Sequence, residues 1–312
     1  MIITVTLNSA LDVTYRVASL RPHTTHRVLD TAQRPGGKGI NVARVLAALG
    51  HRTVVTGFAG GQAGDELRHR LAGLGPAGLL TDALVPTAGP TRRTVGVVDE
   101  ATGDTTMFNE PGPTVGPAEW AALLGVYREL LADPDAAAVA LCGSLPPGLP
   151  VGAYAELVRE ARAAGVFVLL DTSGEPLRRG LAARPDLIKP NADELTGLTG
   201  FAEPARAAAD ARRRGARAVA ASLGAEGMLA VTEEGSWRAA PPGRLSGNPT
   251  GAGDSAVAGL LSGLAEGLPW PERLARAVAL SAATVLAPAA GEFDPAAYQD
   301  AMRRVEVVPA AG

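Results

Sequence analysis

Asn248-Pro249-Thr250-Gly251-Ala252-Gly253-Asp254-Ser255-Ala256-Val257-Ala258-Gly259 reads as a glycine turn opening straight into a small-residue helix. Gly251 and Gly253 allow φ > 0 and a close approach of the backbone to a ligand. The open N–H groups and positive dipole end of a helix start favour negative charge, so such a turn can cradle a phosphate. Asp254 stands at its mouth. A carboxylate there binds an anion poorly, but it can take a proton from an attacking hydroxyl. The combination points to phosphoryl transfer to an alcohol. Two other readings stay open on these residues alone. Asp254 can be the side-chain N-cap of the helix. Gly251 to Ala256 also fits the loose G-x-G-x-x-G/A dinucleotide fingerprint. That fingerprint belongs after a strand, and Ser246-Gly247-Asn248-Pro249-Thr250 is no strand.

Composition narrows the class. Hydrophobic residues make up 46% of the 312 and charged residues 20%, enough apolar material for a buried core. The net charge of -3, with no long basic run, argues against nucleic acid as the main partner. Cys142 is the only cysteine, which excludes an intrachain disulfide and fits a reducing, cytoplasmic setting. The N-terminus looks like a strand rather than a signal peptide. No apolar run is long enough for a bilayer, so no membrane partner is expected. Lys38 and Lys189 are the only lysines, which makes each worth explaining.

Outward from the organising turn, the chain alternates strands and helices. Ile2 to Leu7 is a β-branched strand running into Asn8-Ser9-Ala10-Leu11-Asp12. Asp12 can bind sugar hydroxyls or be an ordinary turn aspartate. Val13 to Ala18 and His26 to Gln33 are extended without a following helix, as antiparallel strands outside the main sheet would be. Gly36-Gly37-Lys38-Gly39-Ile40-Asn41 is a second glycine turn entering a helix from Ile40 to Leu49, a candidate anion or sugar site with Lys38 as point charge. It is not a Walker P-loop. Thr53 to Ala59 is a buried strand, and Asp65 to Gly73 a helix. Arg92 and Arg93 precede a hairpin of Thr94 to Asp99 and Thr105 to Asn109. From Pro117 the pattern runs helix (119–132), strand (136–142), helix (154–164), strand (166–171), a short helix, Leu187-Ile188, helix (204–214), strand (216–222) and a hairpin (228–232 with 236–240). The organising turn and two C-terminal helices close the chain, one of them Leu274 to Leu286. Alternating βα units with continuous apolar strands argue a mostly parallel sheet covered by helices on both faces. Strand after strand ends in polar and glycine residues, so one rim of the sheet reads as the site.

These motifs, in this order, resemble the ribokinase-like, phosphofructokinase B family of carbohydrate kinases, nearest its 1-phosphofructokinase and tagatose-6-phosphate kinase branch. The resemblance runs from Thr6-Leu7-Asn8 to about Asp294. Its segments are Gly36 to Ala43, Gly143-Ser144-Leu145-Pro146-Pro147-Gly148, Asp171-Thr172-Ser173-Gly174, Lys189-Pro190-Asn191-Ala192-Asp193-Glu194, Ser222 to Gly227 and Gly251 to Asp254. It implies a three-layer α/β/α sandwich in a single domain, 1–312, with a small β-sheet lid inserted at about 13–35 and 91–110. The lid would also serve as the homodimer surface.

The resemblance implies roles. Asp254 would be the general base, and Gly251, Ala252 and Gly253 would offer N–H groups to the transferring phosphate. Asp12, Gly36, Gly37, Lys38, Asn41, Arg92, Asn109 and Ser144 would hold the sugar phosphate. Lys189, Asn191, Ser222, Gly224, Glu226 and Gly227 would border ATP. Glu194, with Asn191, would organise Mg²⁺ indirectly, through water. A monovalent cation such as K⁺ would sit by the loop from Pro288 to Glu292. Ser9 stands where this branch commonly has proline, and Met107-Phe108 where a more polar pair is frequent; neither touches the implied catalytic set. The expected reaction is ATP-dependent phosphorylation of fructose 1-phosphate to fructose 1,6-bisphosphate. The alternatives are a tagatose-6-phosphate kinase, a 6-phosphofructokinase, a non-catalytic sugar-phosphate sensor and, on the weak fingerprint alone, an NAD-dependent oxidoreductase.

Overall fold

The computed structural model describes residues 1–310 except Ala77, Arg244, Ser246 and Pro288. The N-terminal third runs β1 (Ile2–Thr6), β2 (Ala10–Val17), β3 (Asp30–Gly36), α1 (Lys38–Ala48), β4 (Thr53–Ala59), α2 (Gly61–Ala72), β5 (Leu80–Pro86), β6 (Arg92–Asp99) and β7 (Thr105–Asn109). Next come α3 (Pro117–Leu131), β8 (Ala138–Cys142), α4 (Ala153–Ala163), β9 (Phe167–Asp171), α5 (Gly174–Ala182), β10 (Leu187–Ile188), α6 (Ala192–Thr199), α7 (Pro204–Arg214) and β11 (Ala218–Ser222). The chain ends with β12 (Met228–Val231), β13 (Ser236–Ala239), α8 (Ala252–Ala265), α9 (Trp270–Val285), α10 (Pro295–Arg304) and β14 (Val307–Pro309).

One sheet has the order β14-β13-β12-β11-β10-β9-β8-β1-β4-β5. It is parallel from β5 through β11 and antiparallel from β11 to β14. Its strands are apolar on both faces because both are covered. In β8, Val139 and Leu141 face the layer built from α3 to α7, while Ala138, Ala140 and Cys142 face α1, α8 and α9. The chain leaves β1 toward β4 on one side and later returns as β8 on the other. Such a reversal of strand order opens a crevice at the carboxyl ends of the strands. Asn8, Gly143, Asp171, Lys189 and Ser222 all lie at or just past those ends.

A second, four-stranded sheet has the order β3-β2-β6-β7. β2 pairs antiparallel with β3, as the extended segments after Asp12 suggested, but parallel with β6. Several expectations need correction. β3 begins at Asp30, not His26, and α1 begins at Lys38, two residues early. β5, α6 and β14 were not anticipated. The N-cap of α8 is Gly251, in the left-handed region at φ 85°, so Asp254 is the third helical residue and not the cap. Gly253 is helical and needs no positive φ. The side chain of Asp254 is therefore free of any capping duty.

Candidate active site

Two clefts meet at the loop before α8. One, of about 930 Å³, lies between the four-stranded sheet and the loops around 248 and 290. The other, of about 740 Å³, lies between α6, the turn after β11, and α8 and α9. Gly247 and Pro249 line both. The loop entering α8 is thus shared, Ala252 and Gly253 of the first turn line the second cleft, and Asp254 lines neither.

Asp254 is 7% exposed, and Asn41 Nδ2 donates to its Oδ2 at 2.8 Å. Burial, reinforced by the charge of Asp171, raises its pKa from 3.8 to about 6, against the Asn41 hydrogen bond and the charges of Lys38 and Lys189. A carboxylate with that pKa is ionised at neutral pH yet basic enough to accept a proton. The αL conformation of Gly251 is tightly enclosed: a Cβ there would lie 2.7 Å from Ala290 Cβ. The N–H of Ala252 donates to the Pro249 carbonyl at 3.1 Å, so it is less free for a ligand than expected.

The two lysines converge. Lys38 Nζ lies 3.2 Å and Lys189 Nζ 3.6 Å from Asp171 Oδ1. Asp171 and Lys189 are buried, whereas the Lys38 side chain is 40% exposed. Burial works against the Lys38 ammonium, but the charges of Asp171, Asp254 and Glu194 outweigh it and hold its pKa above the ordinary lysine value. Lys189 Nζ also sits 3.5 Å from where a Gly253 Cβ would be, against the first turn of α8. Two ammonium groups thus share one carboxylate oxygen near Asp254, an arrangement able to neutralise negative charge on a ligand.

In the first cleft, burial raises Asp12 to about 6, opposed by Arg92, a Thr94 hydrogen bond and Arg44. A side chain on Gly36 would collide with the Asp12 carboxylate. Gly37 caps α1 at φ 108°. Arg92 Nε donates to the Asn8 carbonyl at 3.2 Å and Nη1 to that of Glu110 at 3.3 Å. Arg93 is exposed and pairs with Glu110. Ser144 is exposed and accepts from Asn8 Nδ2 at 3.1 Å. Asn109 is exposed at the end of β7 and does not line the first cleft.

On the other side, Asn191 caps α6. Its Oδ1 accepts from the Glu194 N–H at 2.8 Å, and Glu194 Oε2 accepts from the Asn191 N–H at 2.9 Å. Asn191 bridges to Ser222, tying α6 to the end of β11. Gly224 and Gly227, at φ 61° and 85°, shape the next turn and line the second cleft; Glu226 is exposed and does not. Met228, Val278 and Val285 give this cleft an apolar wall, and Gly224, Ala252, Gly253 and Ala256 a small-residue floor. That suits the flat base of a nucleotide, with its phosphates toward α8. Among the described residues no group of three or more His, Cys, Asp or Glu side chains could hold a metal ion. Mg²⁺ asks for only one or two carboxylates plus water and phosphate oxygens, so the Glu194 carboxylate fits it.

Arg44 was missed in the sequence. It is 8% exposed and donates to the Ala290 carbonyl at 2.9 Å and to Glu292 Oε1 at 2.8 Å. A charged residue three positions after Asn41, on an otherwise apolar helix, was the available signal. Arg44 thereby holds the loop expected to take a monovalent cation; Pro288 of that loop lies outside the described residues.

Residues 4–297 match the family model described as pfkB family carbohydrate kinase.

The chain belongs to that family.

It is a sugar kinase, a phosphotransferase with an alcohol acceptor, and its fold is the ribokinase-like α/β sandwich the resemblance implied. It is 41% identical over 294 residues to 1-phosphofructokinase of Rhodobacter capsulatus, covering 92% of each chain. It is 31% identical over 316 residues to tagatose-6-phosphate kinase of Staphylococcus epidermidis, covering 99% of each. Escherichia coli phosphofructokinase-2, solved in complex with potassium, superposes with a TM-score of 0.89 at 31% identity, over 97% of this chain and 98% of that one. The same protein is also solved in a tetrameric inhibited form. Membership implies ATP as phosphoryl donor. No helix among the described residues is long and apolar enough to cross a membrane.

Proposed function

We propose that the kinase transfers the γ-phosphoryl group of ATP to the 6-hydroxyl of fructose 1-phosphate, giving fructose 1,6-bisphosphate and ADP. The observation that carries this reading is the buried Asp254–Asn41 pair in the first turns of α8 and α1, with Lys38 and Lys189 sharing Asp171 nearby. Asp254 takes the hydroxyl proton while the acceptor oxygen forms its bond to phosphorus and the bridging oxygen leaves with ADP. Asn41 holds the carboxylate in one orientation. Lys38, Lys189 and the start of α8 offset the charge that builds on the phosphoryl oxygens. Asp12 binds sugar hydroxyls against Gly36, and Arg92 with Ser144 takes the sugar's existing phosphate. Glu194 would hold Mg²⁺, which would supply further neutralisation of the nucleotide phosphates.

The substrate assignment rests on the high identity to the Rhodobacter 1-phosphofructokinase and on cationic residues that an unphosphorylated sugar would leave without an anion. Four further assignments belong to this reading. The chain forms one domain whose four-stranded sheet is the lid, and it works in the cytoplasm. Two copies meet through that lid, where Val28, Leu29, Met107 and Phe108 are exposed. A K⁺ ion binds by the loop that Arg44 holds.

The test is ADP release with Mg-ATP against fructose 1-phosphate, tagatose 6-phosphate and fructose 6-phosphate. The highest kcat/KM is expected with fructose 1-phosphate. A higher value with another phosphosugar changes the substrate, and no release with any of them refutes the reading.

A further inference from the structure

Asn8 has no role in the scheme above, yet three other segments of the rim meet on it. It follows β1 and is 7% exposed. Its side-chain Nδ2 donates to the Pro111 carbonyl at 3.1 Å and to Ser144 Oγ at 3.1 Å. Its own carbonyl accepts from Arg92 Nε at 3.2 Å. Its Oδ1 is buried without a partner and packs under Gly112, which sits at φ 97° and where any Cβ would collide with that oxygen.

The carbonyl of Pro111 can only accept, so the amide orientation is fixed with Nδ2 toward it. Nδ2 can only donate, so Ser144 Oγ is the acceptor in the second bond. The Ser144 hydroxyl hydrogen must then point elsewhere. Ser144 is exposed, and among the described residues no acceptor takes that hydrogen, so it is directed out of the rim. Arg92 is held beside this group by the backbone carbonyl of the same residue, whatever the side chain there. Its Nε is taken by Asn8 and one Nη1 hydrogen by Glu110, while among the described residues Nη2 has no partner.

We infer that the Asn8 side chain is a positioning group that turns the Ser144 hydroxyl hydrogen outward, so that Ser144 donates beside Arg92 to the phosphate already on the sugar. The inference rests on the phosphosugar reading. It makes Asn8 a determinant of KM for the phosphorylated substrate rather than of the chemical step. Specificity for an anion follows from the geometry. A hydroxyl whose hydrogen is turned outward, beside a guanidinium, favours an anionic acceptor with several lone pairs over a neutral hydroxyl.

The test compares wild type with Asn8→Ala, Asn8→Asp and Asn8→Asp/Ser144→Ala. In Asn8→Asp the shape is kept, but the carboxylate accepts from Ser144 and turns its hydrogen inward. Initial rates are measured with varied phosphosugar and with varied ATP, and folding is checked by circular dichroism and Tm. Asn8→Asp is expected to raise KM for the phosphosugar by about tenfold or more, the loss of one charge-assisted hydrogen bond. Asn8→Ala is expected to raise it by a smaller factor. KM for ATP should stay within about twofold, kcat should change far less than KM, and the Asp substitution should cost less once Ser144 is already Ala. A KM unchanged in well-folded Asn8→Asp, or equal effects on both substrates, overturns the inference while leaving the phosphosugar reading standing. Equal cost of Asn8→Asp with and without Ser144 also overturns it. If Asn8→Asp does not fold, Asn8→Ser carries the same KM comparison. Wild type that turns over no phosphosugar overturns both.

Discussion

Replacing the proposed base, Asp254→Asn, should damage activity and improve stability together, and only at some pH values. The activity arm is direct. Without a proton acceptor at that position, kcat should fall by about 10²–10⁴-fold. The stability arm comes from burial. The folded chain holds Asp254 at about 6, above its ordinary 3.8. A raised carboxylate pKa means the folded state binds the proton more tightly than the unfolded state. Its favourable contribution is therefore present below about pH 4 and is lost as pH rises through about 6. At about 1.4 kcal/mol per pKa unit, the ionised form costs the folded state about 3 kcal/mol above pH 7. Asparagine keeps an oxygen for Asn41 Nδ2 and carries no charge at any pH, so it escapes that cost. The ligand-free variant should match wild type near pH 4 and exceed it at pH 8 by up to about 3 kcal/mol, roughly 5 °C in Tm. ADP release and denaturant unfolding at both pH values would measure the two arms. A kcat within tenfold of wild type refutes the base assignment. A stability difference of the same size at pH 4 and pH 8 refutes the electrostatic account.

The charges around Asp254 predict opposite shifts of the acid limb of the pH–kcat profile. Lys38→Met removes a cation that favours the carboxylate, so the limb should move to higher pH and kcat should fall by roughly 10²-fold. Asp171→Asn removes the like charge, so the limb should move to lower pH; it also leaves Lys189 buried without its counter-ion, costing about 3 kcal/mol in a denaturant titration. Gly36→Ala should push the Asp12 carboxylate aside and lower kcat/KM for the phosphosugar by about 10²-fold, with KM for ATP unchanged. Gly125→Ala is the structural control. A Cβ there meets nothing within 4 Å, and the position lies inside α3, so stability should rise by about 0.5–1 kcal/mol with unchanged kinetics.

Much of the site was legible because its parts are written locally. The Gly251-to-Asp254 turn and the Gly36-to-Asn41 turn announce helix starts through glycine and small-residue chemistry that acts within a few positions. The strands β4, β8 and β9 were readable as continuous apolar runs. β5 was not, because Leu80–Pro86 mixes exposed polar residues into an edge strand. The Asn191–Glu194 capping box is the local signal for α6.

What the chain alone determined is the inventory: two glycine turns entering helices, one aspartate at the second of them, two lysines, and an α/β alternation that sends strand ends to one rim. What the tertiary structure decided is which of these touch. Asn41 and Asp254 are 213 positions apart and form one hydrogen bond, and Lys38 and Lys189 share one oxygen of Asp171. Asn8 reaches Pro111 and Ser144, 103 and 136 positions away. The pKa of a carboxylate and the direction of a hydroxyl hydrogen depend on burial and on partners a few ångströms away. Local sequence does not encode either; only the packing of distant segments onto the same strand ends creates them.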